Sequence, residues 1–208
     1  MSIKNSHTFK VKFDEKIIKV LKDQKVLLNQ LQKVAHLFNY NKGVPIFACD
    51  SFEDMKRRTH DKRMPEWVIG CNKKNKIFIL TPKEHMQKCQ STSIESLIVH
   101  EFVHVAINSS TDNCPIWLNE GFALWYANQI REFDLSNTKF INPFEIDYNH
   151  SQNLYSFSAF IIKKLFENYS EQALITQLLN SKDFYHDKIF GLLALEELFG
   201  ERIINKDG

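Results

Sequence analysis

Residues 93–110 read SIESLIVHEFVHVAINSS, and the reading of this stretch decides the rest. Ile94, Leu97, Ile98, Val99, Phe102, Val103, Val105, Ala106 and Ile107 leave no wet face, so the spacing predicts a helix built for burial. Into it are set His100, Glu101 and His104. Buried ionisable groups cost free energy unless they are hydrogen-bonded, paired or bound to a metal. On a helix, residues 100 and 104 lie about 40° apart around the axis and one turn apart along it. Both imidazoles can therefore reach one point, as two neutral nitrogen ligands of a divalent metal must. The competing reading is a pair of hydrogen-bonded core or surface histidines.

Glu101 falls beside the two histidines rather than on them, close enough to meet a water at such a metal without ligating it. His-Glu-x-x-His on a helix is the metallopeptidase arrangement, with the glutamate as general base. A catalytic zinc needs a third protein ligand and one open position. PIWLNEGFALWYAN (115–128) offers Glu120, with fifteen residues between it and His104. The intervening NSSTDNCP is loop chemistry, long enough for a second helix to turn back beside the first. A carboxylate flanked by Ile116, Trp117, Leu118, Phe122, Ala123 and Leu124 needs a cation. The bland alternative is a first-turn glutamate stabilised by the helix dipole. A cysteine-ligated scheme using Gly70-Cys71, as in peptide deformylases, leaves Glu120 without a role.

Outward from this pair, the chain predicts an α+β fold: a small antiparallel or mixed sheet before the active-site helix, and a mainly helical second half. DEKIIKVLKDQKVLLNQLQKVAHLF, from Asp14 to about Tyr40, has apolar residues at three- and four-residue steps and predicts one long amphipathic helix. VPIFACD (44–50), EWVIGCN (66–72) and KIFILTP (76–82) predict strands, the last two an antiparallel hairpin turning at NKKNK. SFEDMKRRT (51–59) reads as a short helix. TSIE (92–95) is a capping-box pattern with Thr92 as N-cap and Glu95 at N3. Further helices are expected over 115–129, 151–169, 171–180 and 184–199, with 132–150 as a loop over the surface. With no repeat or linker, 1–208 reads as one domain: helix and sheet over 1–90, the zinc-site helices over 91–130, and a helical part over 150–208.

Composition excludes other classes. With 43% hydrophobic and 25% charged residues the chain is globular rather than disordered. A net charge of +2 with scattered lysines argues against nucleic-acid or anionic-membrane partners. No window approaches the eighteen apolar residues of a membrane span. MSIKNSHTFKVKFDEK has no apolar signal core, and the four cysteines form no C-x-x-C pair; reduced thiols and a cytoplasmic setting are expected.

HEFVH followed by WLNEGFALW resembles the gluzincin zinc peptidases, in particular the peptidase MA-like branch related to the membrane alanyl aminopeptidases and to the thermolysin-like clan. The resemblance covers 91–128 and, more weakly, 151–180. It implies a zincin-like fold, one Zn2+ per chain held by His100, His104 and Glu120, and Glu101 as catalytic base. NLYSFSAFIIKKLFE (153–167) resembles the helix that carries the family's oxyanion-binding tyrosine, which nominates Tyr155; Tyr148 and His150 lie close by and could serve instead. The aminopeptidases' Gly-x-Met-Glu-Asn segment is missing before His100, where KIFILTPKEH stands, so an endopeptidase acting on a peptide or protein is favoured. In that case IFIL could act as an edge strand for substrate, with Glu84 and His85 near the cleft. The alternatives are a non-proteolytic zinc-binding regulator and a metal-dependent hydrolase of a small-molecule amide or ester.

Overall fold

The computed structural model describes residues 9–81, 84, 92–130, 142–148 and 151–200. The chain is α+β and divides into two compact units, 1–106 and 107–208.

In the first unit β1 (Val11–Phe13), α1 (Glu15–Ile18), α2 (Gln24–Leu37), β2 (Val44–Cys49), α3 (Phe52–Thr59), β3 (Gly70–Lys73) and β4 (Lys76–Leu80) lead into α4 (Ile94–Ser110). The sheet is mixed, in the order β1-β2-β4-β3, with β2 parallel to β1 and β4, and β3 antiparallel to β4. The expected hairpin is present. Lys74 and Asn75 take left-handed φ of 50° and 59°, the backbone of a two-residue turn whose twist matches its strands. Val11–Phe13 adds a strand that three residues of weak pattern did not announce.

The side-chain period of two sorts β4 onto two cores. Phe78 and Leu80 join Cys49, Met55 and Met64 in a cluster under α3, while Ile77 and Ile79 are buried on the opposite face. Cys71 pairs with Phe78 and belongs to the α3 side; Gly70 and Asn72 pair with Ile79 and Ile77 and belong to the other. IFIL is therefore an interior strand, not an edge: β3 and β1 are the edges.

The long N-terminal helix is two. Asp14 accepts from Lys16 N, and Asp23, in extended backbone, accepts from Val26 N. Two aspartate N-caps start two helices where periodicity alone suggested one. The cap of α4 also shifts by one residue. Ser93 Oγ accepts from Ser96 N at 3.0 Å, and Glu95 instead accepts from Lys22 N at 2.8 Å. Thr92 is not the cap.

The second unit holds α5 (Ile116–Tyr126), a 3-10 turn (Pro143–Glu145), α6 (Ser151–Asn168), α7 (Glu171–Asn180) and α8 (Leu192–Phe199). Most of the expected surface loop (132–150) lies outside the described residues. In its described part Asn142, Pro143 and Ile146 are buried, while Glu145 and Tyr148 are exposed. The last helix starts at Leu192 rather than near 184, because Asp187 captures the preceding turn. Its carboxylate accepts from Ser181 Oγ and Gln177 Nε2, each at 2.6 Å, and from Ile189 N and Phe190 N. Gly191 follows tightly: a Cβ there would stand 2.3 Å from the Asp187 carbonyl oxygen.

Burial opposes ionisation of Asp187, but the hydroxyl, amide and two backbone donors outweigh it and hold its pKa below the ordinary carboxylate value. A depressed folded pKa contributes stability above the unfolded value, about 3.9, and loses it as pH falls through the folded value. Asp187→Asn should cost about 1.5–3 kcal/mol at pH 7, as for hydrogen bonds to a charged group. The gap should narrow below about pH 4. Chemical denaturation at the two pH values reads both.

Candidate metal centre

α4 is buried on every side near its middle, with Ile98, Val99, Phe102, Val103, Val105, Ala106 and Ile107 nearly inaccessible. His100 and His104 are each 8% exposed and Glu101 6%. The two imidazoles stand edge to face with ring centroids 4.8 Å apart, the stacking expected of residues four apart on one helix.

α5 opens at Pro115, whose missing N–H costs nothing at a helix start. Its interior is as apolar as that of α4: Trp117, Leu118, Phe122 and Ala123 are fully buried, and Glu120 among them is 2% exposed. Gly121 seats this helix on α6. A Cβ at 121 would lie 3.1 Å from Ile162 Cβ and from the Ser158 carbonyl oxygen, so the neighbour of Glu120 must be small. Asn119 Nδ2 donates to Asn108 Oδ1 at 2.9 Å, fixing the start of α5 against the last turn of α4.

His100, His104 and Glu120 each offer one ligand atom, and these atoms lie within 4.8 Å of one another. Among the described residues this is the group able to hold a metal ion. Its chemistry fits one. Two imidazoles and a carboxylate suit a divalent first-row ion, and tetrahedral coordination at about 2.0–2.2 Å separates ligand atoms by roughly 3.4 Å. Modest side-chain adjustment closes the difference. A carboxylate this deeply buried also calls for a cation.

Tyr148 Oη donates to Glu120 Oε1 at 2.8 Å. At 48% exposure, the tyrosine reaches the buried carboxylate from an accessible position. Tyr155 is half-buried in the second turn of α6, and Glu84 is half-buried. His85 and His150 lie outside the described residues. Cys71 is not in the metal-capable group. It faces the α3 cluster, and its thiol is pushed well up by burial and then by the charge of Glu101, so it stays protonated.

One contact escaped the sequence: Asn72 Nδ2, on β3, donates to Glu101 Oε2 at 3.1 Å. An Asn beside a hairpin turn reads as turn chemistry, and no local signal places it against a helix 29 residues on. The chain matches no known protein-family model, no curated protein and no solved structure. Among the described residues, no helix is long and apolar enough to cross a membrane.

Protein purified without chelators should carry about one divalent ion per chain by elemental analysis. His104→Ala and Glu120→Ala should each lose it, whereas Glu101→Gln should keep it. A metal content unchanged in Glu120→Ala would remove Glu120 from the ligand set.

Proposed function

We propose that the chain is a zinc-dependent endopeptidase of gluzincin type, with a zincin-like arrangement of edge strand and active-site helix. The observation that carries this is the convergence of His100, His104 and Glu120 within 4.8 Å, with the carboxylate of Glu101 adjacent to the first ligand on the same helix. A structural metal site has no use for a carboxylate in that place; a hydrolytic one does.

Two histidines and one glutamate would hold zinc and leave a coordination position open. Zinc, when bound, supplies the Lewis acidity that makes water a nucleophile near neutral pH. Glu101 accepts the proton that the attacking water loses and delivers it to the amine nitrogen as the peptide C–N bond breaks. The products are a carboxylic acid, holding the original carbonyl oxygen and the water oxygen, and an amine. One water proton reaches the amine through Glu101, and the other leaves as the acid ionises. The negative charge that grows on the carbonyl oxygen needs a donor. Tyr148 commits its single hydroxyl proton to Glu120 Oε1, so it orients that carboxylate. The oxyanion role falls to Tyr155, which the resemblance to the family's tyrosine helix nominates. Substrate reaches the site by main-chain pairing with an exposed strand, as extended peptides do. Because β4 is interior, this role falls to β3, the edge strand that carries Asn72.

A peptide-library digest with added zinc tests the reading. Internal cleavage by the wild type, abolished in Glu101→Gln at equal zinc content, is the expected result; equal digestion by both proteins, or none by either, contradicts it. Tyr155→Phe should lower kcat about 10²- to 10³-fold, in the range for loss of one oxyanion donor. Tyr148→Phe should lower it less, and the reverse order would pass the role to Tyr148.

A further inference from the structure

We propose that Asn72 is a positioning residue that holds Glu101 in its working rotamer, and that Gly70 is the close approach that lets Asn72 reach it. This rests on Glu101 being the general base.

The matching of strand to helix carries the argument. Gly70 and Asn72 share one face of β3, opposite the buried Ile79 and Ile77. Two residues along a strand advance about 6.7 Å, and four along a helix about 6 Å. Gly70 and Asn72 on the strand therefore run in step with Leu97 and Glu101 on α4. Both ends of the match are observed. A Cβ at Gly70 would lie 2.9 Å from Leu97 Cδ1, 3.1 Å from Cγ and 3.2 Å from Cδ2, and Asn72 Nδ2 stands 3.1 Å from Glu101 Oε2. A side chain at position 70 would press into the Leu97 side chain beside the point from which Asn72 must reach. Cys71, between them, turns to the α3 cluster and can do neither job.

The chemistry of the contact also suits a base. A carboxylate only accepts, so the amide nitrogen is the group that faces it. A neutral amide orients the carboxylate through a donated hydrogen bond without adding a charge beside it. It engages Oε2, which fixes the plane of the carboxylate. Burial of Glu101 among apolar residues keeps water from competing for the bond.

The test uses the zinc-loaded full-length chain and an internally quenched peptide selected from the library digest. Asn72→Ala and the isosteric Asn72→Asp should each lower kcat ten- to a hundredfold, the scale of a misplaced catalytic group. KM and zinc content should stay unchanged. Asp fills the same volume but, when ionised, cannot donate and repels the Glu101 carboxylate, so it removes the contact without opening space. Gly70→Ala should lower kcat comparably, and adding it to Asn72→Ala should cost nothing further, because both remove one contact. Crystal structures give the readout independent of activity: one Glu101 conformer in the wild type, a displaced or split one in Asn72→Ala and Gly70→Ala.

Wild-type kcat in Asn72→Asp, raised kcat in Asn72→Ala, or a change confined to KM overturns the positioning role and leaves Glu101 as the base. Loss of zinc from these variants likewise overturns it, since the residue then serves the metal site. A wild type that hydrolyses no peptide overturns the functional reading and this inference together. An unfolded Asn72→Ala leaves Asn72→Asp and Gly70→Ala to decide.

Discussion

Three ionisable side chains able to hold a metal ion sit where water scarcely reaches, and the proposed chemistry depends on that constraint. His100, His104 and Glu120 are all but buried at points of two helices where the neighbouring side chains are mostly apolar. Desolvation penalises a carboxylate in such surroundings, and a divalent cation would offset the penalty for all three groups at once. The apolar walls then act as more than filler. They fix the rotamers of the ligands and strengthen each electrostatic interaction by lowering the local dielectric.

Two glycines and two polar side chains tune this arrangement from outside the ligand set. Gly121 lets α5 approach α6 closely enough to hold Glu120 in place, and Gly70 does the same for β3 against Leu97. Tyr148 fixes the ligand carboxylate and Asn72 the carboxylate beside the ligands. Outer groups of this kind orient the inner ones and commonly matter nearly as much to a metal site. The sheet contributes an edge, β3, and keeps its apolar interior strand, β4, away from solvent.

How much of this could be read from sequence depended on the range of the interaction. The His100–His104 pairing is local, set by helical period, and was readable from spacing alone. Glu120 was readable because a carboxylate among Trp117, Leu118 and Phe122 is chemically out of place. The division of residues 14–40 into two helices was written in Asp14 and Asp23, but a repeating apolar pattern across them masked the caps. Asn72 was not readable. Its function depends on the register of β3 on β4 and of that hairpin on α4, and a shift of one residue would have turned it to the opposite face. The edge assignment failed for a related reason: strand order is a long-range property, and β1 and β2 complete the sheet beyond β4. Tyr148 reaches Glu120 from a segment without periodicity, so chain position could only place it near Tyr155.

X-ray absorption at the zinc edge of protein purified with its metal tests the central claim most directly. The account predicts a light-atom shell of nitrogen and oxygen near 2.0–2.1 Å with the outer scattering of two imidazoles. A sulfur scatterer near 2.3 Å would bring a cysteine such as Cys71 into the site and contradict it. So would a chain that retains no metal at all.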